Sequence, residues 1–411
     1  MNNFFDDKIA ERLGGSNFGK STAIYKFELI KRAKAEAKKA HPGVKLIDMG
    51  VGEPDWPADN LVVKALSEEA GKPENRWYAD NGIPEFQEAA ARYLENIYGL
   101  SGIVPSEQII HGIGSKPVLA MLPLCFVNPG DILLTTVPGY PVTATYTKYL
   151  GGEVFNLPLT DSNSFLPDLS TIPSPVLKKA RMLYLNYPNN PTGAVANIEF
   201  FQNVVDFALK NNIIVINDAA YGALTYDGQK PLSFLSVKGA MEVGLEVHSL
   251  SKAFNMTGWR IGFICGNNKA VKAYGTVKDN TDSGQFRAIQ KAAIEALKHP
   301  EITESTVTKY SRRFDLLIEA LKNIGFDAKK PKGTFFCYVK SPAGTENGRV
   351  FNTASDFSEF LIKESLISTV PWDDAGKFIR FSVTFEADSV EEEKRVINEM
   401  KQRMKLLKLK F

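Results

Sequence analysis

Five short apolar runs occupy the middle of this 411-residue chain: Ile132–Val137, Met182–Asn186, Ile213–Asn217, Leu245–Ser249 and Ile261–Cys265. Segments with helical spacing lie between them. In Ile198–Lys210, for example, Phe201, Val204, Val205 and Ala208 recur at i, i+3, i+4 and i+7, the pattern of a helix with one apolar face. Strand-length apolar runs alternating with amphipathic helices build βαβ units, and those assemble into a mainly parallel sheet. In such a sheet ligands bind beyond the carboxyl ends of the strands. Polar or glycine-rich clusters follow these runs, so the chemistry is to be sought there.

The chain ends read differently. A basic helix near Lys26–Lys39 has the look of a solvated face, and Asp48–Pro54 (DMGVGEP) reads as a loop. From about Gln285 a long helical region leads into a segment of α+β character punctuated by Gly and Pro. A chain this long exceeds one small core. The expected architecture is α/β, with a large domain over residues 61–290 and a smaller α+β domain built jointly from 1–60 and 291–411.

Composition removes several classes of function. A net charge of +2 gives no footprint for nucleic acid or an anionic membrane. Cys125, Cys265 and Cys337 are far apart, and the four histidines have no HExxH spacing, so neither a disulfide framework nor a metal site is expected. The opening stretch carries acids early and lacks an apolar core, so it does not read as a secretory signal. The apolar stretch from Pro117 to Val127 is too short to span a bilayer. A cytoplasmic location is the expectation.

The richest single stretch is His248–Gly262, HSLSKAFNMTGWRIG. Its lysine, Lys252, stands among small and apolar residues, and a sequestered lysine can lose its proton and attack a carbonyl. Ser249 and Arg260 are residue types that grip a phosphate, one by a hydroxyl and the other by a charged fork. An aldehyde carrying its own phosphate needs both functions side by side, and pyridoxal 5′-phosphate is such a molecule. A surface lysine beside a structural arginine would spell the same letters.

Other stations supply what that cofactor requires. In His111–Pro117 (HGIGSKP), Ser115 suits a helix N-cap and Pro117 the first turn, which together offer a phosphate seat. Tyr140, in VPGYP, follows a strand where a ring could stack on a flat heterocycle. Two prolines and a glycine in NYPNNPTG fix the backbone around Asn190, which could donate to a ring oxygen. Asp218, in NDAAY, ends an apolar strand, where a carboxylate is costly unless it meets a cation such as a protonated pyridine nitrogen. Tyr221 stands three residues on. Arg380, the only charge inside the strand-like run of KFIRFSV, could clamp a carboxylate bidentately. Taken singly, a capped helix, a turn tyrosine, a helix-capping aspartate or an edge-strand arginine would account for each.

In order, GSK, PGYP, PNNPTG, NDAAY, SLSKAFNMTGWR and IRFS resemble the class I/II aminotransferases, enzymes of PLP-dependent fold type I, over nearly the whole chain. The resemblance implies Lys252 as the residue that bonds the cofactor and shuttles the proton, and Asp218 as partner of the pyridine nitrogen. It gives Asn190 and Tyr221 to the ring oxygen, Tyr140 to ring stacking, and Ser115, Lys116, Ser249 and Arg260 to the phosphate. Arg380 becomes the α-carboxylate clamp, with Asn190 and Gly52 beside the substrate. The family also implies a homodimer with sites at the interface, so that Tyr25, Tyr78 and Asn280 would reach the neighbour's site, while Tyr25, Asp80, Lys116 and Asn280 would meet the distal end of the substrate.

Within the family, Ile9–Gly15, Tyr78–Gly82 (YADNG) and Ser368–Gly376 (STVPWDDAG) are similar to LL-diaminopimelate aminotransferases. The better-known branch has YGAEQG where this chain has Trp77-Tyr78-Ala79-Asp80-Asn81-Gly82, which shortens two side chains near the distal end of the substrate. The expected reaction is a two-stage exchange between LL-diaminopimelate and 2-oxoglutarate, giving tetrahydrodipicolinate and glutamate and feeding lysine synthesis in the biosynthetic direction. A broader aminotransferase for aspartate, alanine or aromatic amino acids is the alternative, ahead of a PLP lyase or a non-enzymatic PLP-binding regulator.

Overall fold

The computed structural model describes residues 4–5, 8–19 and 26–411. Its centre is a seven-stranded sheet of β1 (Ile109–Gly112), β2 (Ile132–Val137), β3 (Glu153–Pro158), β4 (Ala180–Asn186), β5 (Ile214–Asp218), β6 (Gly244–Ser249) and β7 (Gly262–Gly266). The spatial order is β1-β7-β6-β5-β4-β2-β3. All neighbours pair in parallel except β7, which runs against both β1 and β6. The five sequence-predicted strands are present, shifted by a residue or two at some ends. The short β1 and the edge strand β3 were not foreseen: β1 has only four residues and β3 buries little of its length.

Alternation along the strands explains the two layers around this sheet. Leu183, Leu185 and Val215 face one core, which includes Phe201, Val204, Val205 and Ala208 of α2 (Ile198–Asn211). Met182, Tyr184 and Ile216 face the other, with Val118, Leu119 and Leu122 of α1 (Ser115–Phe126). Both faces of a parallel sheet are thereby covered. Helix α2 starts where the Asn197 side chain accepts from Phe200 N, and it stops at Asn212 in the left-handed conformation. Fully burying a side chain such as Phe201 is worth about 2–3 kcal/mol.

A second core surrounds a small antiparallel sheet of β8 (Phe336–Lys340), β9 (Val370–Trp372) and β10 (Phe378–Ser382), ordered β9-β10-β8. Ile379 and Phe381 of β10 pack there with Phe314, Leu317 and Leu321 of α3 (Glu301–Ile324) and with Val396, Ile397 and Met400 of α4 (Val390–Leu406). Period-2 alternation puts Arg380, which lies between those two apolar residues, on the other side of the strand. This arginine is on the central strand of its sheet, 4% exposed, and not on an edge.

One local expectation is corrected. Ser115 is the first residue of α1 and makes no capping bond; the cap position belongs to Gly114, with φ 78°. A Cβ at Gly114 would lie 2.1 Å from Arg260 Nη2, so only glycine lets that guanidinium approach. No described helix is long and apolar enough to cross a membrane.

Candidate active site

The parallel strands end on one edge, and the antiparallel β7 begins there. Ser115 follows β1, Tyr140 follows β2, Asn190 follows β4, Asp218 ends β5, Lys252 follows β6, and Arg260 leads into β7. These residues, with Lys116, Tyr221, Ser249, Gly52 and Arg380, line one cleft of about 560 Å³. Residues from eight separate stretches of sequence thus meet at the edge where a sheet of this type binds ligands.

At one end the donors are small and cationic. Ser249 caps a short helical turn, its oxygen accepting from Ser251 N at 3.2 Å, which leaves its proton free to donate. Arg260 takes a left-handed φ of 58° and donates to Thr257 O at 2.9 Å. Lys116 is exposed at the rim. On the floor, Asp218 pairs in register with Asn186 of β4 and is 4% exposed. Its carboxylate accepts from Tyr184 OH at 3.0 Å and from Ala220 N at 3.2 Å, and among the described residues it has no ion pair. Burial pushes its pKa up to about 6, against the opposing effect of those donors. Since the backbone N–H that it takes opens no helix, the helix-cap alternative does not apply.

Lys252 donates from Nζ to Gly52 O at 2.7 Å. Burial lowers its pKa to about 8; Arg260 and Arg380 push the same way and Glu53 opposes them. Arg380 is a buried guanidinium with no ion pair among the described residues. It donates to Asn190 Oδ1 at 2.8 Å and to Gly50 O at 3.2 Å, lies 3.8 Å above the Phe336 ring, and has no partner for Nε. Burial lowers its pKa to about 10. With Oδ1 of Asn190 taken by Arg380, the amide NH2 of Asn190 remains to donate into the cleft. Burial also raises the pKa of the Tyr221 phenol, which therefore stays protonated.

Among the described residues, the cleft thus contains a buried carboxylate lacking a cation, a buried guanidinium lacking an anion, and a lysine driven towards its neutral form. Residues 44–394 match the family model for class I and II aminotransferases. The chain belongs to that family. It is 58% identical to the LL-diaminopimelate aminotransferase of Methanocaldococcus jannaschii, with 100% of each chain covered, and 56% identical to that of Methanococcus maripaludis, with 98% of each covered. Among solved structures it is similar to substrate-bound BacF from Bacillus subtilis, at 35% identity and a TM-score of 0.86, over 95% of this chain and 97% of that one. A Thermus thermophilus aspartate aminotransferase variant superposes with a TM-score of 0.83 at 26% identity, over 98% and 100% of the two chains.

An aminotransferase of this family is a transaminase of PLP-dependent fold type I. The residues present suit the cofactor. A pyridinium is the cation that Asp218 lacks, and a phosphate fits the hydroxyls and guanidinium at the other end. Asn186 was not singled out from sequence, although it opens the NYPNNPTG motif. It donates to Asp218 O at 2.7 Å and accepts from Asn190 N at 2.9 Å, joining two cleft residues. Glu53 and Tyr184 were also missed. Glu53 sits within the loop noted at Asp48–Pro54, and the face shared by i and i+2 along β4 would have found Tyr184 beside Asn186.

The distal residues are distributed differently. Tyr25 lies outside the described residues. Tyr78, Asp80 and Asn280 are exposed and do not line this chain's cleft. Asp80 has φ 31° and its backbone O accepts from Lys278 Nζ, while Asn280 donates to Thr276 O.

Proposed function

We propose that this aminotransferase exchanges the amino group between LL-diaminopimelate and 2-oxoglutarate, in the manner of the curated relatives that match its full length. The observation that carries the chemistry is the cleft in which Lys252, Asp218 and Arg380 converge. Full-length identity of 58% to an LL-diaminopimelate aminotransferase supports the substrate.

When bound, pyridoxal 5′-phosphate supplies an aldehyde and a ring that takes up electron density from the substrate α-carbon. The chain's own residues do the rest. Ser115, Lys116, Ser249 and Arg260 would hold the phosphate, and Asp218 would pair with the pyridine nitrogen. Asn190 and Tyr221 would donate to the ring oxygen, and Tyr140 would orient the ring. Arg380 grips the substrate α-carboxylate with the free side of its guanidinium. Lys252 would bond the aldehyde, and its Nζ, once neutral, would take the substrate α-proton and act as the proton shuttle.

The distal end of LL-diaminopimelate carries both an ammonium and a carboxylate, which calls for mixed polarity. A homodimer would bring Tyr78, Asp80 and Asn280 of one chain to the other's cleft. An apolar groove supports it: Pro117, Met121, Leu124 and Tyr146 line a hollow of about 570 Å³ beside Lys116 and Tyr140. Leu124 and Tyr146 are exposed in the single chain, a patch that a second copy would cover.

Steady-state profiling tests the assignment. With 2-oxoglutarate as acceptor, kcat/KM for LL-diaminopimelate should exceed that for aspartate, alanine and phenylalanine by about a hundredfold or more, because unpaired polar groups penalise substrates lacking the distal end. Equal values across these donors would make it a broad aminotransferase instead.

A further inference from the structure

The carboxylate clamp depends on two backbone segments that are far apart in sequence, and one buried side chain touches both. Segment 49–52 is laced to β10 and the chain leaving it. Ser382 N donates to Met49 O at 2.7 Å, Arg380 Nη2 to Gly50 O at 3.2 Å, and Thr384 Oγ1 to Val51 O at 3.1 Å. Gly52 O takes the Lys252 ammonium. Three residues further, Asp55 enters the interior. Its Oδ2 lies 3.0 Å from Arg313 Nη1, and its Oδ1 accepts from Lys309 Nζ at 2.8 Å.

Arg313, on α3, is 0% exposed and fully engaged. Besides its ion pair with Asp55, it donates to Val383 O at 2.9 Å, Phe385 O at 2.8 Å and Ala387 O at 3.1 Å, and Nε donates to Glu393 Oε1 at 2.9 Å. Those three carbonyls belong to the chain that leaves β10 directly after Arg380 and Ser382. One guanidinium therefore fixes the loop that ends at Asp55 against the exit of the strand that carries Arg380.

Buried ion pairs of this kind contribute little net stability over apolar packing, and their best-attested use is to fix geometry. The geometry at stake here is sensitive. Among the described residues, Arg380 Nε has no partner and the guanidinium is aimed by two acceptors, Asn190 Oδ1 and Gly50 O. A shift of Gly50 would re-aim it.

We propose that Arg313 and Asp55 form a positioning pair for the substrate clamp, setting the aim of Arg380 by locking the 49–55 segment to the end of β10. The proposal rests on Arg380 as the carboxylate clamp. Neither residue lines the cleft, so both act through Arg380.

The test measures KM and kcat for glutamate and 2-oxoglutarate, together with cofactor dissociation and Tm, in Asp55→Asn, Arg313→Lys and Thr384→Val, with Arg380→Lys as reference. Asp55→Asn should raise both KM values together, by between about tenfold and a hundredfold, because both substrates present an α-carboxylate to the same guanidinium. Cofactor dissociation should stay within about twofold, since those contacts come from the large sheet. Thr384→Val, which removes one lace and leaves the ion pair, should shift both KM values the same way by less, and it keeps the proposal testable if an Arg313 variant does not fold. Lower Tm with unchanged KM in both Asp55→Asn and Thr384→Val would overturn the positioning role. If Arg380→Lys itself leaves both KM values unchanged, the clamp assignment fails. If it raises them while Asp55→Asn and Thr384→Val do not, only the positioning pair fails.

Discussion

Burial acts on Lys252 and Asp218 in opposite senses, and both shifts serve the chemistry. The lysine pKa falls to about 8 and that of the carboxylate rises to about 6. A depressed lysine pKa means that the neutral amine grows as pH rises through about 8, where an exposed lysine would wait until above 10. Capture of added cofactor by cofactor-free protein should accelerate across pH 7 to 9 and level off above, followed by the growth of the visible band. Lys252→Ala should abolish turnover while still retaining cofactor through the phosphate contacts; a variant with full turnover would contradict the assignment. The Asp218 penalty has the other sign. It is absent below the unfolded carboxylate pKa near 4, is complete above about 6, and amounts to a few kcal/mol. A pyridinium would offset it. Asp218→Asn should therefore weaken cofactor binding and lower kcat by about a hundredfold or more, measured by titration and by initial rates. At this scale the sequence was informative where residue type and backbone setting coincide. Asp218 closes an apolar strand and Lys252 stands among small, polar and apolar residues, so their environments were legible from their neighbours. Asn186 was not, because its role is a bridge between two strands that only the register defines.

Elements bring those residues to one edge through their polarity along the chain. Parallel strands offer their ends and the antiparallel β7 its beginning, which is why Arg260 precedes its strand while the others follow theirs. Apolar periodicity reveals strands and helices but not their direction, so the reversal of β7 was hidden in the sequence. At Gly114 the Arg260 guanidinium lies over the start of α1. Gly114→Ala places a side chain both in a left-handed backbone and against that guanidinium. It should raise the cofactor dissociation constant about tenfold or more by displacing Arg260, measured by titration of the visible band, with kcat at saturating cofactor nearly unchanged. An unaltered dissociation constant would remove Arg260 from the phosphate contacts. The α2 face was fully readable, because Phe201, Val204, Val205 and Ala208 needed only their spacing to be placed inside. Phe201→Ala should cost about 3–5 kcal/mol of stability, read by denaturant unfolding.

The whole molecule adds what single elements cannot. Arg380 reaches the cleft from a second sheet with its own core, so the site exists only when the two packed units meet. The distal residues named from sequence, Tyr78, Asp80 and Asn280, sit on the outer surface of the chain. No pattern within one sequence states which copy's cleft they face. If they serve a neighbour, Leu124→Asp in the apolar groove should halve the mass seen by light scattering and lower activity with LL-diaminopimelate in proportion. The central claim, a transaminase that takes LL-diaminopimelate, is tested most directly by a single half-reaction. The protein loaded with pyridoxal 5′-phosphate is mixed with LL-diaminopimelate alone while the visible band is followed. It should bleach in a single turnover, bleach with glutamate as well, remain with phenylalanine, and return when 2-oxoglutarate is added. A band that persists with LL-diaminopimelate but bleaches with aspartate or phenylalanine would contradict the account.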